Sequence, residues 1–211
     1  MADVAVVDYG MGNLRSMAKA LEHVGADRVV ITDDAERIAS AERVVFPGQG
    51  AVRDCMSALH AHDLIDVLRR VMADRPFLGV CMGMQALMTR SEENDGVAAL
   101  DAISGEVRHF RRLTGGEQAL KIPHMGWNRV RQDQAHPLWQ GIEEGAWFYF
   151  VHSYYVAPAD EGLIQGSATY GRAFAAAIGR GNVFATQFHP EKSQNAGLRL
   201  LSNFVAWDGT A

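Results

Sequence analysis

From residue 4 to residue 90 the chain alternates short, wholly apolar strand patterns with helical ones, and this constrains its fold more than any other feature. "VAVVDY" (4–9), "RVVIT" (28–32), "RVVFP" (43–47) and "PFLGV" (76–80) read as strands without polar alternation. Strands of that kind are buried on both faces, so they belong to a parallel sheet covered by helices on each side. The intervening segments supply the helices. Leu14, Met17, Ala18, Leu21 and Val24 fall at helical spacing, with Gly25 as a C-cap. "AERIAS" is a short helix, and residues 51–73 are helical with a break near His62–Asp63. "MGMQALMTR" (82–90) continues as helix from the fourth strand.

Beyond residue 104 the runs become short and are punctuated by Gly and Pro: "GEVRHF", "WNRVR", "WFYFVHSYYVAP", "LIQGSATYG", "FAAAIGRG" and "VFATQFHP". These predict an antiparallel or mixed extension of the sheet. A last helix at 196–207 buries Leu198, Leu201, Phe204 and Val205. The expected fold is therefore α/β: a flavodoxin-like three-layer sandwich, with a mostly parallel central sheet and the extension in its C-terminal half. With 211 residues, 48% hydrophobic and 21% charged, the chain can bury a sizeable core, and residues 1–211 are read as one domain.

Charge and cysteine usage exclude several function classes. The net charge is −5 and no Lys/Arg run is present, so neither nucleic acid nor a membrane surface is expected as a partner. "MADVAVVDYGMGN" lacks the basic segment and long apolar core of a secretory signal, and no apolar run reaches transmembrane length. Two cysteines, Cys55 and Cys81, are too few for a disulfide framework and lack metal-ligand spacing. A reducing cytoplasm is the expected compartment, and no metal or cofactor is expected.

Cys81 stands in "GVCMG", where a strand passes into a helix. A free cysteine is more often a small buried core residue, but a core cysteine needs no glycines around it. A nucleophile on a tight strand-to-helix turn does, and there its thiol lies near the first N–H groups of the helix, with the Met82 N–H able to face an oxyanion. Cys55, in the helical "AVRDCMSAL", has no such frame and is read as structural. Of eight histidines, His23, His60, His62, His109 and His136 are read as surface residues without partners. His189 instead ends an apolar strand and precedes Pro190 and Glu191. Pro190 keeps "HPE" extended, which places Glu191 on the same side as the His189 ring. That carboxylate can orient the imidazole as a base for the thiol; the bland alternative is a strand end with a solvated glutamate. "PGQGA" (47–51) ends the third strand, and its turn can face Cys81 and offer a second oxyanion donor if the third and fourth strands are neighbours. "GMGNLR" is no dinucleotide fingerprint, because Arg15 stands where the third glycine belongs. Gln85, one helical turn after Cys81, either faces solvent or projects beside the nucleophile.

Taken in order, "PGQGA", "GVCMGMQAL" and "FHPEKS" resemble the class I, triad-type glutamine amidotransferases. "DYGMGNLRS", "KIPHMGWN" and "FYFVHSYY" narrow the resemblance to the glutaminase subunits of imidazole glycerol phosphate synthases, which act in histidine biosynthesis. The resemblance implies that Cys81 attacks the side-chain amide of glutamine, that His189 protonates the departing ammonia and then activates water, and that Glu191 orients His189. It further implies an oxyanion hole at Gln49, Gly50 and Met82, and glutamine contacts at Gly50, Gln85, His152, Ser153 and Tyr154. Asn13, Met125, Trp127 and Lys192 would face a TIM-barrel cyclase in a heterodimer, which receives the ammonia. Family members often carry valine where Gln49 stands. The competing readings are a glutaminase of the anthranilate, purine, guanylate or pyridoxal phosphate pathways, a non-catalytic module of the same fold, and a cysteine peptidase.

Overall fold

The computed structural model describes residues 3–113 and 120–210. Its first half follows the expected alternation: β1 Asp3–Val7, α1 Leu14–His23, β2 Arg28–Thr32, α2 Ala35–Ser40, β3 Arg43–Gly48, α3 Val52–Ala61, α4 Ile65–Asp74 and β4 Phe77–Cys81. The break between α3 and α4 falls at Asp63, whose φ of 53° no helix accommodates. The helix after β4, α5, covers only Met82–Ala86 and not the whole 82–90 run. It stops because the segment at 100–103 takes over its last carbonyls: the N–H groups of Leu100, Ile103 and Asp101 donate to the oxygens of Ala86, Leu87 and Met88.

The rest comprises β5 Arg90–Ser91, β6 Val97–Ala98, β7 Gly105–His109, β8 His124–Arg129, β9 Arg131–Gln132, β10 Trp147–His152, β11 Tyr154–Pro158, β12 Ile164–Tyr170, β13 Arg172–Arg180, β14 Val183–Thr186 and α6 Gln194–Ala206. An eight-stranded sheet runs β2-β1-β3-β4-β14-β13-β12-β9. Its first five strands are parallel, and β13, β12 and β9 form the antiparallel extension. Not every late strand joins it: β8 and β10 pair separately, as do β11, β7, β5 and β6. The "WFYFVHSYYVAP" run is accordingly two strands that part at Ser153, one in each small sheet.

The central strands are apolar throughout because alternate residues feed two different cores. Ala5, Val7, Val44, Phe46 and Phe77 point to the side packed by α2, α3, α4 and α5; Val4, Val6, Val45, Leu78 and Val80 point to the side packed by α1 and α6. Each large apolar side chain buried this way contributes about 1.5–3 kcal/mol. In α6 the buried stripe is Gly197, Leu200, Leu201, Phe204 and Val205; Leu198 is only half-buried. All five parallel strands end on one side, so the turns after β1, β3, β4 and β14 gather at one edge of the molecule.

Candidate active site

Cys81 terminates β4 and serves as N-cap of α5 with φ 56° and ψ −102°, a conformation that L residues reach only under strain of about 1–3 kcal/mol. The flanking glycines do not supply the bend, since neither has a positive φ. They let α5 lie against the sheet. A Cβ on Gly83 would sit 1.9 Å from the Phe46 carbonyl oxygen, and one on Gly79 would crowd Ala185 and Gly83 at 3.1 Å. Parallel pairing then fixes the neighbours: Gly48 of β3 stands opposite Cys81, and Thr186 of β14 opposite Val80. The "PGQG" turn therefore lies beside the cysteine, as expected if β3 and β4 pair. The "GMG" turn after β1 backs it, with Gly12 (φ 111°) placing its would-be Cβ 3.4 Å from Gly48 Cα.

His189 follows β14 by three residues and so reaches the same edge. It is extended, but Pro190–Lys192 forms a 3₁₀ turn, not the extended "HPE" expected from sequence. The turn suits proline at its first position and still brings Glu191 back to the ring: Glu191 Oε1 accepts from His189 Nδ1 at 2.9 Å, with both side chains 3% exposed. The His189 N–H donates to Tyr149 O, and Ser193 Oγ donates to His189 O at 2.6 Å while accepting from the Tyr149 N–H. The imidazole's backbone is thus held from both sides.

Burial disfavours a charged His189. Hydrogen bonding and charge from Cys81 and Glu191 outweigh it, and the His189 pKa is raised to about 9. The Nε2 atom is buried without a hydrogen-bond partner among the described residues, on a ring that lines the same cavity as Cys81. Gln187 Nε2 donates toward Cys81 Sγ at 3.7 Å. Cys55 is different: burial pushes its thiol up to about 12, as befits an inert core cysteine.

Cys81 and His189 line a cavity of about 470 Å³ together with Gln49, Gly50, Met82, Gln85, His152, Ser153, Tyr154 and Lys192. Gln85 thus faces the cavity that Cys81 lines. The remaining expected residues lie outside. Asn13 caps α1 through Ser16 N, while Met125 and Trp127 are exposed on β8, at 58% and 43%. Three residues went unrecognised in the sequence: Glu93, a carboxylate lining the cavity; Gln187, fully buried against Cys81; and Trp147, exposed beside Arg129 on β10. Glu93 lies in a loop without periodicity, and Gln187 looked like the polar end of a strand. Some histidines were also misjudged. His136 is buried, caps the turn at 137–139 and packs on Phe184 and Trp207; His62 meets Asp33 and His109 caps Arg111 N.

A polarised thiol, an imidazolium braced by a carboxylate and adjacent turn N–H groups can together carry acyl transfer. The family model described as "Glutamine amidotransferase class-I" matches residues 5–207, and the chain belongs to this family. Within that class, the imidazole glycerol phosphate synthase subunit HisH of Methylococcus capsulatus is 57% identical over 99% of this chain and 98% of its own length. Its counterpart HisH 1 of Pseudomonas aeruginosa is 56% identical over 99% of each chain. Among solved structures, a chain of PurLQS from Thermotoga maritima has a TM-score of 0.72 at 19% identity, covering 98% of this chain and 99% of that one. A putative GMP synthase protein from Thermoplasma acidophilum has 0.70 at 19%, covering 98% and 93%; these two support the fold alone.

Proposed function

We propose that the chain acts as one amidotransferase domain, the glutaminase subunit of an imidazole glycerol phosphate synthase, and that Cys81, His189 and Glu191 are its catalytic residues. The observation that carries this reading is the braced His189–Glu191 pair beside a strained, cavity-facing Cys81. The Cys81 thiolate attacks the side-chain amide carbon of glutamine. N–H groups of Met82 and of the Gln49–Gly50 turn receive the developing oxyanion. His189 gives its proton to the departing ammonia, leaving a thioester. It then takes a proton from water, which attacks the thioester and releases glutamate. Glu191 keeps the ring in the tautomer and orientation that both steps need.

Glutamine carries an α-ammonium and an α-carboxylate, and the cavity has groups for the first. Glu93 is an anionic lining residue fixed by Val52 N at 2.8 Å, and Gln85 lines the same cavity. Ser153 and Tyr154 offer backbone groups where β10 gives way to β11. Both ring nitrogens of His152 are taken up internally, so its contribution to binding is backbone.

The partner is a TIM-barrel cyclase forming a heterodimer with this chain in the cytoplasm. Ammonia passes into it and is built into imidazole glycerol phosphate, with an aminoimidazole carboxamide ribonucleotide as co-product. Asn13, Met125, Trp127 and Lys192 face it, joined by Trp147; the exposure of three large apolar side chains on the outer face of β8 and β10 supports this. Among the described residues no helix is long and apolar enough to cross a membrane. The test is glutamate release by the chain mixed with the cyclase and its ribonucleotide. Cys81→Ala is expected to abolish it, and a glutamine-analogue electrophile to label Cys81. Unchanged turnover in Cys81→Ala would overturn the reading.

A further inference from the structure

Behind the cavity, the inner faces of β8 and β10 carry a chain of buried polar contacts that the catalytic steps do not use. His124 and His152 stand opposite each other across the two strands, each about 5% exposed. His124 Nδ1 lies 2.9 Å from His152 Nε2, and His152 Nδ1 lies 2.7 Å from Tyr154 O. Asn128 Nδ2 lies 3.3 Å from His124 Nε2 and 2.9 Å from Thr169 O. Both ends fix who donates. A carbonyl oxygen only accepts, so Thr169 O sets the Asn128 amide with its NH2 toward His124, and Tyr154 O requires the proton of His152 on Nδ1. The two histidines then have one consistent arrangement, neutral and each protonated at Nδ1, with donors running Asn128, His124, His152, Tyr154 O.

Tyr154 O also accepts from Gln85 Nε2 at 3.3 Å, and Gln85 Nε2 donates to Gln187 Oε1 at 3.1 Å. Both amide protons of Gln85 are therefore directed inward. Its carbonyl oxygen alone remains for the cavity, which the Glu93 carboxylate also lines, and two such acceptors on one cavity suit a cation.

We propose, building on the glutaminase reading above, that the His124–His152 pair is a positioning relay which, through the Tyr154 carbonyl, holds the Gln85 amide with its oxygen facing the cavity. It thereby makes the site select substrates bearing an α-ammonium group. Gln187 anchors the other amide proton of Gln85.

The experiment measures kcat/KM, in the assembled synthase, for glutamine and for glutaramate, which has the same amide and carboxylate but no α-ammonium. The double variant His124→Phe/His152→Phe removes both partners together, which spares the core an orphaned donor. Its glutamine-to-glutaramate ratio is expected to fall about tenfold, mainly through a higher KM for glutamine. Loss of support alone would lower both substrates in parallel and leave the ratio unchanged; that result would overturn the proposal. Should the double variant not fold, Gln187→Leu reads the same ratio from the other side of Gln85. Gln187→Glu, which keeps the acceptor for Gln85 but loses the donor to Cys81, is expected to preserve the ratio while lowering kcat for both substrates. A wild-type enzyme indifferent to the α-ammonium would also overturn the relay, whereas turnover surviving Cys81→Ala would overturn the glutaminase reading itself.

Discussion

Gly83 and Phe46 are in contact where the helix that follows Cys81 packs on the sheet: any Cβ on Gly83 would lie 1.9 Å from the Phe46 carbonyl oxygen. Alanine is the better helix former, so by propensity alone Gly83→Ala would stabilise α5 by up to about 1 kcal/mol. The clash reverses the sign. The obstacle is backbone of a central strand, not a flexible side chain, so α5 must lift and carry Cys81 with it. The variant is expected to lose about 2 kcal/mol or more in denaturant unfolding, and glutaminase activity should drop at least tenfold while Cys55→Ala stays active.

Among the described residues Glu191 is the only group bonded to His189 Nδ1, and both side chains are sealed from solvent. Glu191→Gln keeps the shape but offers an amide that can present either an oxygen or an NH2 to the ring. A ring held in the wrong tautomer cannot serve the thiol. Comparable substitutions in a serine triad cost about 10⁴ in kcat; here the expected loss is at least about 10², with the KM for glutamine little changed. Steady-state kinetics decide it, and a loss under threefold would deny Glu191 its role.

The raised His189 pKa, about 9, has a signed consequence. The unfolded chain titrates its histidine near 6.5, so the folded state binds that proton more tightly. The resulting stabilisation is fully present below about pH 6.5 and is lost as pH rises through 9. The melting temperature is expected to decline between pH 7 and 10, and less steeply in Cys81→Ala, which removes one cause of the shift. Activity should fall on the same alkaline limb, because the proton destined for ammonia is then gone.

The outer face of β8 and β10 carries Met125, Trp127 and Trp147 at 58%, 43% and 51% exposure, with Arg129 stacked 5.3 Å over the Trp147 ring. Large aromatic side chains left in water are what a tight interface buries at its centre. Trp127→Ala is expected to weaken binding of the cyclase by about 2 kcal/mol, roughly thirtyfold in Kd, with the unbound chain's melting temperature unchanged. Titration calorimetry would report it.

Much of this arrangement is legible in the sequence for a physical reason. Parallel strands buried on both faces leave a continuous apolar signature, and a strained cysteine needs its helix packed tightly on the sheet, hence Gly79 and Gly83. What stayed hidden depends on contacts distant in sequence. The end of α5 at Ala86 is set by residues 100–103, which no local pattern announces. Separation of β8 and β10 from the main sheet depends on the aromatic packing beneath them, where Phe110, Phe150 and Phe174 surround His124 and His152. The "HPE" turn was misjudged because proline suits the first position of a 3₁₀ turn as well as it suits extended backbone. Glu191 nevertheless reaches His189.

Acid should unfold the chain through the buried histidines, against the trend set by His189. Burial lowers the pKa of His124 and His136 to about 4 and that of His152 to about 3. Each is neutral in the fold and hydrogen-bonded as an acceptor, whereas in the unfolded chain each takes up a proton below about pH 6.5. The unfolded state then binds more protons, so stability falls as pH drops from 6.5 toward 4 and continues to fall to about 3. Between pH 7 and 5 the urea midpoint is expected to decrease, and His124→Phe/His152→Phe should flatten that decrease without abolishing it, since His136 still titrates. A wild-type midpoint that holds constant down to pH 4 would mean that these rings accept protons in the folded state, and the neutral form assigned to His124 and His152 would not hold there.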